Sequence, residues 1–145
     1  MFKPEILLVD DNPADLDLTS EVLARNERPK RVSSVMNGVE ALGFLRHEGK
    51  YADTPDPDLI LLDLNLPRKD GRAVLAEVKA DPLLRRTPIV VFSTSQAEFD
   101  IMQSYNLGAN SYVTKPGDLP EFVQAVMSIE NFWFGCARLP RKEEQ

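Results

Sequence analysis

Asp58-Leu59-Ile60-Leu61-Leu62-Asp63-Leu64-Asn65-Leu66-Pro67-Arg68-Lys69-Asp70-Gly71 is the most informative stretch of the chain. Its apolar run is too short for a helix and is bounded by acids, then by Pro and Gly, which reads as a short strand. A run with no polar alternation belongs to a strand buried on both faces, and such strands occur in parallel sheets covered by helices. On either side, comparable runs alternate with helical patterns. Strands are expected at Glu5 to Val9, Arg31 to Met36, Asp58 to Leu62, Pro88 to Phe92 and Ser111 to Thr114. The first helix should be capped by Asn12, with Pro13 at its first position and Asp15 near the positive end of the dipole; Leu18 and Val22 face inward. A second starts near Gly38 with Val39, Leu42 and Leu45 inward, and a third at Gly71 with Val74, Leu75 and Val78. The fourth spans about Ala97 to Tyr105, carrying Ile101 and Tyr105. The last opens at Asp118, with Glu121 three residues on as in a capping box, and runs through Phe122, Val123, Val126 and Met127. The reading is α/β, five strands each followed by a helix.

The bulk numbers agree with one domain. The chain has 145 residues, 43% apolar and 28% charged, which is the composition of a globular protein rather than a disordered or membrane one. No apolar run approaches the roughly 20 residues of a spanning helix, and the N-terminus does not read as a secretory leader, so a cytoplasmic protein is expected. A net charge of −6 argues against a nucleic-acid surface. The one basic cluster, Arg138 to Lys142, precedes two glutamates and reads as a solvated tail. Cys136 is a lone cysteine, and His47 lies in the Arg46 to Pro57 stretch, a loop by composition.

Ligands of a parallel α/β sheet bind outside the carboxyl ends of the strands. Asp10 and Asp11 end the first strand and Asp63 ends the third. If those strands are neighbours, three carboxylates converge, and a divalent cation is the natural balance for their repulsion. Oxygen donors without His or Cys favour Mg²⁺. The fourth strand closes with Ser93-Thr94-Ser95, whose hydroxyls suit a phosphate oxygen, and the fifth with Thr114-Lys115-Pro116, which brings an ammonium to the same rim. Together these make a phosphoryl site, with Asp63 the best nucleophile because Asp10 and Asp11 are better placed for the metal.

The set Val9-Asp10-Asp11-Asn12, Asp63-Leu64-Asn65-Leu66-Pro67, Asp70-Gly71, Ser93 and Lys115-Pro116 resembles the receiver domain of bacterial two-component response regulators over roughly residues 4 to 130. The resemblance implies a flavodoxin-like sheet of order 2-1-3-4-5. It implies a phosphoacceptor at Asp63, a direct Mg²⁺ ligand at Asp11, a water-mediated one at Asp10 and the backbone carbonyl of Asn65 as another. Ser93, with Thr94 beside it, would be the switch hydroxyl, Tyr112 the aromatic rotamer partner and Lys115 the phosphate-binding lysine, before a cis peptide at Pro116. A sensor histidine kinase would donate the phosphoryl group, and the charge it adds would shift the fourth helix and fifth strand between two arrangements. Gly117 departs from the apolar residue common at that place.

With Ile129 to Phe134 and Pro67 to Gly71 included, the chain more narrowly resembles the small regulators partnered with bacterial phytochrome kinases. A C-terminal extension is expected at 131 to 145 without an effector domain, so output is expected through protein contacts. Phe132, Trp133 and Phe134 are consecutive and cannot all face one core, so at least one is expected at a partner interface, in a homodimer with the fourth helix, fifth strand and fifth helix. Three other readings compete. A receiver-like docking module working without phosphorylation would lack an acceptor or lysine, and both are here. A haloacid dehalogenase phosphatase needs an acid where Asn65 stands. A flavodoxin needs a Ser/Thr/Gly-rich loop where Asp10-Asp11-Asn12-Pro13 stands.

Overall fold

The computed structural model describes residues 3–140. Five strands, β1 (Glu5–Val9), β2 (Arg31–Val35), β3 (Leu59–Leu62), β4 (Ile89–Ser93) and β5 (Ser111–Thr114), alternate with α1 (Pro13–Arg25), α2 (Gly38–Leu45), α3 (Gly71–Ala80), α4 (Glu98–Asn106) and α5 (Leu119–Glu130). All pairings are parallel and the order is β2-β1-β3-β4-β5. This is the flavodoxin-like arrangement that the family resemblance implied.

The apolar runs form strands because both of their faces are covered. Leu7, Val9, Ile60, Leu62, Ile89 and Val91 point to one side, where Ala41, Leu42, Phe44 and Leu45 of α2 and Val74, Leu75 and Val78 of α3 meet them. Ile6, Leu8, Leu59, Leu61, Val90 and Phe92 point to the other, against Leu16, Val22 and Leu23 of α1 and Phe122, Val126 and Ile129 of α5. Each buried aliphatic side chain contributes about 1.5–3 kcal/mol relative to exposure, so the two layers outweigh any local preference.

The helix starts follow their caps. The side chains of Asn12, Asn37, Asp70 and Asp118 each accept a backbone N–H from the first turn, and the Asp118 cap takes the N–H of Glu121 at 2.9 Å. A Cβ at Gly117 would meet nothing within 4 Å, so the departure there leaves the entry to α5 undisturbed.

One position expected to face inward does not: Val39 is 41% exposed, and Met127 and Tyr105 are also open to solvent, at 41% and 49%. α4 buries only Ser104, because it lies beside the edge strand β5 rather than over the centre of a sheet face. Residues 46–57 form a loop holding a short 3-10 turn, Gly49–Tyr51. His47 sits there with a φ of 58°, its Nε2 2.7 Å from Asp56 Oδ1.

After α5 the chain widens into a π-helical turn, Asn131–Cys136, closed by the Ala137 N–H donating to the Phe132 carbonyl at 2.7 Å. Trp133 and Phe134 fold back against the α1/α5 core layer, while Phe132 is 51% exposed. Cys136 is exposed and unpaired. Residues 141–145 of the predicted extension, including Arg141 and Lys142 of the basic cluster, lie outside the described residues. Among the described residues, no helix is long and apolar enough to cross a membrane.

Candidate functional site

Sheet register assembles the rim. Val9 of β1 pairs with Leu62 of β3, so the next residues, Asp10 and Asp63, emerge side by side. The Asp63 N–H donates to the Val9 carbonyl at 2.9 Å, extending the ladder one step past the strand ends. Ser93 of β4 pairs with Thr114 of β5, and the Lys115 N–H donates to the Ser93 carbonyl at 2.7 Å. Four chain segments thereby deliver side chains to one end of the sheet.

Glycine lets α3 approach this rim. A Cβ on Gly71 would lie 2.2 Å from the Asp63 carbonyl oxygen and 2.7 Å from Leu64 Cα, both backbone atoms that have little room to yield. The Gly71 N–H donates to the Leu64 carbonyl at 2.8 Å. We expect Gly71→Ala to destabilise the fold by about 3 kcal/mol, the upper range for overpacking, because α3 must lift off the β3 end. Urea unfolding checks this, and a loss below about 1 kcal/mol would contradict the close approach.

Ligand atoms of Asp10, Asp11 and Asp63 all lie within 4.8 Å of one another. The three grade from buried Asp10 through intermediate Asp63 to exposed Asp11. An all-oxygen set open to solvent on one side fits a hard divalent cation that keeps part of its water.

Across from them stands Lys115, whose side chain is 3% exposed. Its ammonium donates to Asp10 Oδ2 at 2.5 Å, Asp15 Oδ2 at 2.9 Å and Asp63 Oδ2 at 3.0 Å. Burial alone would pull the lysine pKa down, but the hydrogen bonds it donates to Asp10 and Asp15 and the charges of Asp63 and Asp10 outweigh it, so the pKa stands above that of a free lysine. Burial pushes the Asp10 carboxyl up, which the Lys115 hydrogen bond and the Asn12 N–H only partly offset.

Ser93 is fully buried, and its Oγ accepts the Ser95 N–H at 3.3 Å. Thr94 is exposed beside it, as is Asn65 beyond Asp63. Tyr112 packs against the α2/α3 core layer, and its hydroxyl donates to the Ser95 carbonyl at 2.9 Å.

One expectation is corrected. No peptide bond among the described residues is cis, so the Lys115–Pro116 bond is trans. Trans is the intrinsically favoured isomer before proline, and Lys115 reaches its three carboxylates with the bond in that form. Phe132 and Trp133 meet edge to face, with centroids 5.1 Å apart. Of the three consecutive aromatics, only Phe132 is largely exposed.

Two features went unread in the sequence. Asp15 was interpretable there only as a helix-dipole acid, although a cap at Asn12 brings the third helical residue back over the strand end that carries Asp10. The other is a polar chain: the Ser95 hydroxyl donates to Asp100 at 2.6 Å, and Arg72 joins Asp100 at 2.8 Å while also pairing with Asp70. The Ser95 hydroxyl first, then Arg72, hold the Asp100 carboxyl below its ordinary pKa. That chain ties α4 to the start of α3.

The response regulator receiver domain family matches residues 6–127. Response regulator Rcp1 of Synechocystis sp. is 46% identical over 135 residues, covering 93% of this chain and 92% of Rcp1. The crystal structure of the phosphorylated cyanobacterial phytochrome response regulator RcpA is similar with a TM-score of 0.94 and 52% identity, covering 97% of this chain and 100% of that one. The Mn²⁺-bound form of Rcp1 is similar at a TM-score of 0.92 and 45% identity, covering 95% of this chain and 99% of that one. With its sheet order, its acidic trio and its rim lysine in place, the chain belongs to the response regulator receiver domain family.

Proposed function

We propose that this protein is a response regulator that takes a phosphoryl group from a histidine kinase onto Asp63 and passes the signal to protein partners by changing conformation. The observation that carries this reading is the ammonium of Lys115, held at 3.0 Å from Asp63 and in contact with the converging trio of carboxylates. In the proposed reaction an Asp63 carboxylate oxygen attacks the phosphorus of a phosphohistidine. The P–N bond breaks, the imidazole leaves with the bonding electrons, and an acyl phosphate remains on Asp63. Water later returns the carboxylate and frees inorganic phosphate.

Asp10, Asp11 and Asp63, with the backbone carbonyl of Asn65, would hold Mg²⁺. When bound, Mg²⁺ supplies positive charge that offsets the repulsion between the attacking carboxylate and the phosphoryl oxygens. Lys115 takes one phosphoryl oxygen and the Ser93 hydroxyl another, with Thr94 at the mouth. Drawing Ser93 toward the phosphoryl group moves the loop that Tyr112 grips through the Ser95 carbonyl, and so biases α4 and β5.

Likeness to RcpA, a phytochrome response regulator, supports a phytochrome histidine kinase as the donor; the reading places the exchange in the cytoplasm. The exposed apolar side chains Phe99, Met102, Tyr105, Leu119, Met127 and Phe132 support a homodimer through α4, β5, α5 and the C-terminal extension. Sedimentation is expected to show dimer; monomer alone at high concentration, phosphorylated or not, would exclude that interface.

Incubation with acetyl phosphate tests the central claim. One phosphoryl group per chain is expected, dependent on a divalent cation and labile to alkali as acyl phosphates are. No uptake, or uptake that persists in a chelator, would overturn it.

A further inference from the structure

We propose that Asp15 is a positioning residue that keeps the Lys115 ammonium at the acceptor rim when Asp10 and Asp63 are committed to a cation. The inference rests on the phosphoacceptor reading above and extends it to a residue outside the acidic trio.

An ammonium has three N–H donors, and each donor of Lys115 has its own carboxylate: Asp10 at 2.5 Å, Asp15 at 2.9 Å and Asp63 at 3.0 Å. Two of these acceptors are shared. Asp10 and Asp63 belong to the trio that fits a divalent cation, and Asp15 does not. Carboxylate charge committed to a cation is withdrawn from Lys115, while the added positive charge repels the ammonium. Asp15 is then the one carboxylate among the three whose whole charge still faces the lysine.

Its position suits that task. Asp15 lies in the first turn of α1, where its N–H donates to the Asn12 side chain at 3.1 Å and Pro13 starts the helix. Its side chain is 25% exposed, away from the buried floor that Asp10 occupies. The capped helix therefore holds this carboxylate still whatever the trio binds. The dipole of α1 asks only for an acid in the first turn. It does not ask for one aimed at a lysine 100 residues away in sequence.

The experiment compares wild type, Asp15→Asn, Asp15→Ser, and Asp17→Asn as a control that removes the same charge from the exposed side of α1. Calorimetric titration with Mg²⁺ alone is expected to give an affinity about threefold to tenfold weaker for both Asp15 variants and nearly unchanged for Asp17→Asn. Label uptake from acetyl phosphate at saturating Mg²⁺ is expected to slow about fivefold or more. Because Asp15 acts through Lys115, adding Asp15→Asn to a Lys115→Gln chain should change either quantity less than about twofold.

If wild type takes up label and Asp15→Asn matches it in rate and Mg²⁺ affinity, the inference falls while the phosphoacceptor reading stands. An equal effect in the Lys115→Gln chain also overturns it, since the lysine would not be the route. If wild type takes up no label, the phosphoacceptor reading fails and the inference fails with it.

Discussion

Asp63→Asn is expected to abolish phosphoryl uptake, lowering it at least about 10³-fold, the scale on which losing a covalent nucleophile acts. An amide nitrogen or oxygen does not form a stable acyl phosphate, and among the described residues no other carboxylate takes the place of Asp63. Asp10 is buried and bonded to Lys115, and Asp11 is exposed. The folded chain should survive. Asparagine matches aspartate in size, Lys115 keeps Asp10 and Asp15, and without metal the loss relieves repulsion in the trio. The melting temperature is thus expected to hold or rise while uptake disappears. Radiolabel from acetyl phosphate and a melting curve on the same sample check both halves. Uptake at the wild-type rate would remove Asp63 from the acceptor role, and a collapsed melting transition would show that its charge is structural.

The largest loss of stability is expected far from this rim. Lys30 and Glu130 form an ion pair at 2.9 Å with side chains only 5% and 1% exposed. Lys30 also donates to the carbonyls of Leu23 at 2.9 Å and Arg28 at 2.7 Å, tying the end of α1 and the following loop to the end of α5. Glu130→Ala leaves an ammonium buried without its counter-charge, beside the space the glutamate filled, and should cost about 3–5 kcal/mol. That is a large part of the 5–15 kcal/mol typical of a domain. A Lys30→Met, Glu130→Leu double variant should recover most of the loss, because well-packed apolar residues replace a buried pair at little cost. Urea unfolding of both variants is the check. A Glu130→Ala loss below about 1 kcal/mol, or a double variant no better than the single one, would mean that water reaches the pair.

The contrast between these two sites shows what the sequence carries. Asp63 was legible because it ends an unbroken apolar run, and a strand buried on both faces must put its first polar residue at the rim. Asp10, Ser93 and Lys115 were legible for the same reason, each standing where a strand pattern stops. Glu130 has no such mark. It is a charged residue at the last position of an amphipathic helix, and Lys30 stands in a loop after Pro29, so both read as ordinary surface charges. Val39 took its inward assignment from helical spacing alone. Spacing gives a helix its faces but does not say which face a sheet edge leaves open.

By itself, then, the sequence determined the strand and helix succession, the caps at Asn12 and Asp118, and the rim residues of the candidate site, because each is written in a local pattern of apolar period, capping side chain and strand end. Tertiary structure alone decided which carboxylates the Lys115 ammonium meets, separated from it by 105, 100 and 52 positions. It also decided that Trp133 and Phe134 fold inward while Phe132 does not, and that Lys30 meets Glu130. These depend on how far apart whole elements sit once the two core layers close, and no short window of residues records that distance.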